Sequence, residues 1–160
     1  MTFNDGISSE GIPIPSDERL PMDRLELDIS DIMTLDTNED ALQFNIAEYY
    51  KITFTVSAYT KQENTIFDET KDFVTLGFRL VDTDDIFFGT SEWIYYEEAT
   101  QIIGQGIISV PSIASAFELV NLSPQTIYLS TPNLKYISSG SYFTNYLITI
   151  VIEYLGRQGA

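Results

Sequence analysis

The 160-residue chain contains no cysteine and no histidine. The first absence excludes disulfides, thiolate nucleophiles and zinc-thiolate sites; the second removes the usual general base near neutral pH and the commonest metal ligand. Most enzyme classes thereby lose their ordinary equipment, and the sequence reads as non-enzymatic, with no cofactor expected. Basic residues are scarce as well: 8 Lys and Arg stand against 24 Asp and Glu, a formal net charge of -16. That surplus repels phosphate backbones and anionic headgroups, so neither nucleic acid nor membrane insertion is expected. The longest apolar run, 147–152, is interrupted by Thr149 and is far too short to span a bilayer. Residues 1–10 carry neither a basic region nor an apolar core of a secretory signal.

What the chain does contain is aromatic and β-branched sequence in strand rhythm. In 49–59, Tyr50, Ile52, Phe54, Val56 and Ala58 alternate with Lys51, Thr53, Thr55 and Ser57. This is the pattern of a half-buried strand. Val74, Leu76, Phe78 and Leu80 repeat it in 73–81. Further candidate strands are 25–29, 41–46, 85–88, 92–96, 101–110, 116–122, 125–129 and 141–155. About ten short antiparallel strands at close spacing, with no amphipathic helix, predict an all-β jelly-roll sandwich over residues 25–157. The single helical candidate, 112–119, is short, follows Pro111 and reads as a loop entering a strand. Ahead of the sandwich, residues 1–24 hold three of the six prolines, Pro13, Pro15 and Pro21, together with Gly6 and Gly11. They predict an extended arm, with a short edge strand through Ile12 and Ile14 as the alternative.

The last candidate strand is apolar on both faces. Read with period two, Tyr142, Tyr146, Ile148, Ile150, Ile152 and Tyr154 fall on one side, and Phe143, Leu147, Val151 and Leu155 on the other. A strand of an isolated antiparallel sandwich normally has one wet face. One side is expected in the core and the other against further copies of the chain, since monomers rarely expose large apolar patches and closed cyclic assembly hides them.

The order of these segments resembles a known family. The motifs 42–46 (LQFNI), 49–56 (YYKITFTV), 76–81 (LGFRLV), 101–110 (QIIGQGIISV), 117–122 (FELVNL) and 147–155 (LITIVIEYL) are similar to the C1q/TNF-like jelly roll. The likeness is greatest to the carboxyl-terminal domains of collagen-like spore-surface glycoproteins of the BclA type. There is no Gly-X-Y repeat here; Gly104-Gln105-Gly106 is isolated. The resemblance implies a homotrimer with the final strand near the threefold axis, and Tyr142, Tyr146, Ile148, Ile150, Ile152 and Tyr154 are the candidate trimer interface. It also implies a structural knob on a spore surface, exosporium or appendage tip, where residues 1–24 would attach to an anchoring protein. Two alternatives are a receptor-binding or adhesin module, such as a phage fibre tip, and a filament joined through Ile7, Ile12 and Ile14 as a donated strand.

Few other residues suggest chemistry. Asp82, Asp84 and Asp85 sit in one turn and are candidate calcium ligands, although a solvated acidic turn is the simpler reading. The stretch 36–40 begins like a calcium loop but has Ala41 where glycine is required. No serine lies in a Gly-x-Ser-x-Gly setting. Trp93 and Tyr95 form a candidate recognition surface, with core filling as the alternative for the tryptophan. Asn121-Leu122-Ser123 matches a glycosylation sequon and is assigned no role.

Overall fold

The computed structural model describes residues 2–3, 11–22, 32–60, 73–93, 100–129 and 148–156. Eleven strands are formed among them: β1 (Thr2–Phe3), β2 (Ile12–Ile14), β3 (Met33–Asp36), β4 (Ala41–Phe44), β5 (Tyr49–Tyr59), β6 (Phe73–Leu80), β7 (Ile86–Trp93), β8 (Thr100–Ser109), β9 (Ser115–Asn121), β10 (Ile127–Leu129) and β11 (Ile148–Gly156). All pairings are antiparallel. They make a six-stranded sheet (β1, β11, β5, β10 and β2, with β8 also on β5) and a five-stranded sheet in the order β3-β4-β9-β6-β7.

After β4 the chain crosses to the six-stranded sheet as β5 and returns as β6, which forms a hairpin with β7. It crosses again as β8, returns as β9 and ends in β10 and β11. This alternation between two packed sheets is a jelly roll, the architecture the strand spacing predicts. β5 lies at its centre, because residues 49–56 pair with β11 along one edge and with β8 along the other.

The core is built from the inward-facing positions of both sheets. Tyr50, Ile52, Phe54, Val56 and Ala58 of β5 are fully buried and meet Leu42, Phe44, Leu76, Phe78, Phe117 and Leu119 from the five-stranded sheet. Seven rings run in sequence through it (Tyr154, Tyr50, Phe44, Phe117, Phe78, Phe88 and Phe54), with successive centroids 4.6 to 5.8 Å apart. The β6–β7 register shifts by one residue between Phe78 and Arg79, and Phe87 as well as Phe88 then reaches the aromatic cluster.

β8 makes room for these rings by carrying no side chain at two inward positions between the buried Ile102 and Ile108. Its inward residues include Gly104 and Gly106, over which Phe54 and Phe88 lie. A Cβ on Gly104 would fall 2.2 Å from Phe54 Cζ, and one on Gly106 would fall 2.5 Å from Phe88 Cγ. Gly104 is the direct cross-strand partner of Phe54, so the ring occupies the space its neighbour lacks. Ile103 and Ile107 consequently face outward.

Residues 11–22 correct the expectation of a separate arm. Ile12–Ile14 pairs with β10 of its own chain, which is the edge-strand alternative, and the segment then changes sheets. Leu20 N donates to Leu119 O (2.8 Å), Asp17 N donates to Asn121 O (2.7 Å) and Asn121 N donates to Glu18 O (2.9 Å). This strap occupies the edge of β9 just past the point where β4 ends. Ile14, Leu20 and Met22 are buried in the core. The prolines fit because β2 is an edge strand, where a missing N–H costs no ladder bond. Strand donation through Ile12 and Ile14 therefore competes with a site these residues already fill; Ile7 lies outside the described residues. The predicted strand 25–29 also lies outside them, and β3 was not predicted.

Candidate functional site: the outer face of the six-stranded sheet

The outward side chains of β5, β8 and β11 form a regular grid fixed by cross-strand register. Thr149, Thr55 and Ile103 make one row, Val151, Thr53 and Gln105 the next, and Glu153, Lys51 and Ile107 the third. Leu155 follows at a bulge where Gly156 takes a positive φ of 97°, a conformation open to glycine. Ile103, Ile107, Val151 and Leu155 are 57%, 65%, 53% and 50% exposed. Gln105 Nε2 donates to Thr53 Oγ1 (3.2 Å), and Lys51 Nζ lies 3.7 Å from Glu153 Oε2. Six of the nine positions in this grid are branched at Cβ, so its side chains are stiff.

The described charges are distributed unevenly between the two sheets. Among the described residues, every carboxylate except Glu48 and Glu153 belongs to the strap, the five-stranded sheet or a turn joining its strands. Among the described residues, the nine grid positions thus carry one ion pair, Lys51–Glu153, and no further charge.

The final strand divides its two faces in the opposite sense to the one expected. Ile148 (1% exposed) and Ile150 (3%) are buried in the chain's own core, and Ile152 packs against it. Tyr154 sits at the sandwich end, its ring 5.6 Å from that of Tyr50 and its hydroxyl bonded to Glu48. The candidate interface is therefore corrected at Ile148 and Ile150, which pairing with β5 directs between the sheets, with Ile152 partly buried beside them; Tyr154 remains 48% exposed at the sandwich end, and Val151 and Leu155 are exposed as well. Tyr142, Tyr146 and Tyr95 lie outside the described residues, as does the side chain of Trp93.

The acidic turns use their carboxylates internally. Asp85 Oδ2 accepts from Thr83 Oγ1 (2.8 Å), and Asp84 Oδ1 lies 3.9 Å from Arg79 Nε. Asp36 Oδ1 accepts from the backbone N–H of Asn38 and Glu39, while Asp40 Oδ1 accepts from Met22 N (2.9 Å). Asp82, Asp84 and Asp85 do not converge, and among the described residues no group of three acidic, His or Cys side chains is placed to hold a metal.

The remaining polar constellations tie the strap down. Arg79 bonds Glu118 Oε1 through Nε (2.8 Å) and Nη2 (2.7 Å), and Asp17 Oδ1 through Nη1 (2.8 Å). Burial alone would lower the pKa of this guanidinium, yet Glu118 and Asp17 raise it above its ordinary value. Asn121, fully buried, donates to Ile14 O (3.0 Å), Pro15 O (3.2 Å) and Gln125 O (3.0 Å), and its Oδ1 accepts from Ser123 N (2.9 Å). The sequon asparagine is thus a structural knot.

No protein-family model matches the sequence, and no curated protein matches it either.

Proposed function

We propose that this domain is a non-enzymatic structural subunit that closes into a homotrimer through the outer face of its six-stranded sheet. One observation carries this reading: four large aliphatic side chains, Ile103, Ile107, Val151 and Leu155, stand half exposed or more on a face whose described charges are the single Lys51–Glu153 pair, in a strongly acidic chain. Water-facing apolar surface of that kind is removed by association, and cyclic closure stops growth at a defined number of copies. The acidic strap and five-stranded sheet would then form the outside of the particle and keep it soluble. Its C1q/TNF-like character, with spore-surface glycoproteins of the BclA type as the nearest pattern, rests on the order of the strand motifs. On that basis the trimer is a knob on a bacterial spore surface, at the exosporium or an appendage tip.

The test is sedimentation velocity with light scattering on the full chain across concentration. A trimer is expected, and Val151→Asp should convert it to folded monomers. A wild-type chain that stays monomeric at every concentration sinks the assembly reading. Antibody labelling of intact spores examines the location separately, and label confined to the spore interior speaks against it.

A further inference from the structure

Lys51 and Glu153 are the anomaly on the self-association face. Around them the grid holds Thr53, Thr55, Ile103, Gln105, Ile107 and Val151, with no other charge. Their ammonium–carboxylate distance is 3.7 Å, and their side chains are 39% and 58% exposed. A bridge that open contributes almost nothing to the fold of one chain. Inside a dry interface the same two groups become decisive, because either charge left without its counterpart is strongly unfavourable.

Resting on the self-association reading above, we infer that Lys51 and Glu153 are the specificity determinants of the face, buried together between copies, and that they select a second copy of this chain as partner. A flat sheet of β-branched residues would otherwise stack on any flat apolar sheet, and a charged pair set into it penalises every partner that cannot satisfy both signs. Another copy of the same face brings one ammonium and one carboxylate of its own. The cation is the scarce member. Among the described residues the other two cations, Arg19 and Arg79, are committed to the strap side, Arg19 to Glu39 and Asp40 and Arg79 to Glu118 and Asp17. Without Lys51, Glu153 would meet a copy carrying the same uncompensated acid.

The experiment uses the full chain and four variants: Lys51→Glu, Glu153→Lys, the double exchange, and Val151→Asp as the control for the face itself. Association is read by sedimentation velocity and folding by thermal melting. Each single exchange should weaken association by at least about tenfold, with the melting midpoint of the monomer unchanged. The double exchange should restore the assembly, and mixing the two singles should do so where the pair meets across copies. If Val151→Asp abolishes association while Lys51→Glu associates like the wild type, the face stands and the assigned role of the pair is wrong. A double exchange as weak as the singles also overturns it. A monomeric wild type removes the underlying reading itself.

Discussion

The outer faces of the two sheets solve opposite problems. On the five-stranded sheet the strap extends the edge of β9, and its polar groups are paired one by one with Arg79, Asn121 and Asp40, while its own Arg19 pairs with Glu39. On the six-stranded sheet nothing described lies over Ile103, Ile107 and Val151, and the one ion pair is half exposed. The same alternation of strands thus yields one side whose charged groups are paired within the chain and one that sets exposed aliphatic side chains among threonines and a single ion pair. Satisfied polar networks are what a monomer's surface needs, and exposed apolar area is what the proposed association would cover.

Adjacent residues of β11 test this division most severely. Ile150→Asp places a carboxylate in the core without a partner and should destabilise by about 4 kcal/mol or more, enough to unfold a marginal domain. Val151→Asp should leave the monomer within about 0.5 kcal/mol of the wild type, as substitutions at exposed sites usually do. Its effect belongs to sedimentation, whereas that of Ile150→Asp belongs to circular dichroism. If both unfold the chain, the outer face is part of the fold and the contrast between the sheets collapses.

A step smaller, Arg79→Met strands Glu118, whose side chain is only 7% exposed. Breaking a buried pair by removing one partner costs about 3 kcal/mol. Chemical denaturation should register that loss while the association constant of the folded protein stays unchanged. Asn121→Ala acts on the same side. It removes the donor to three carbonyls and the acceptor of Ser123 N, with an expected loss of about 2 kcal/mol. A change in oligomeric state from either variant would show that the strap side also takes part in assembly.

Strand periodicity made the sandwich legible, since β5 alternates cleanly from Tyr49 to Val56 and every inward residue of β5 from Tyr50 to Ala58 is buried. It failed at β8 and β11, where both faces carry apolar residues and period two cannot tell in from out. For β8 the missing signal was volume. Gly104 and Gly106 face inward because Phe54 and Phe88 fill the space above them, a relation between strands about 50 residues apart in the case of Phe54. For β11 it was register, which is fixed by pairing with β5 and not by local composition. The strap was hidden by its prolines, which suggest an unpacked arm but are tolerated on an edge strand. Asn121 looked like a sequon because its hydrogen-bond partners, from Ile14 to Gln125, are scattered along the chain.

The smallest expected effect lies at the sandwich end. Tyr50 is buried, and burial first, then Tyr154 and Glu48, raise its pKa above the ordinary phenol value. The neutral phenol is therefore favoured in the folded chain relative to the unfolded one. Its contribution is fully present below the unfolded value of about 10 and is lost as pH rises through the higher folded value. Melting temperature measured between pH 8 and 11 should accordingly fall at the alkaline end. Tyr50→Phe gives up the bond to Ile46 O (2.9 Å) and should start lower at pH 8, but its decline across the alkaline range should be shallower. Parallel declines in the two proteins would show that the alkaline loss comes from other groups.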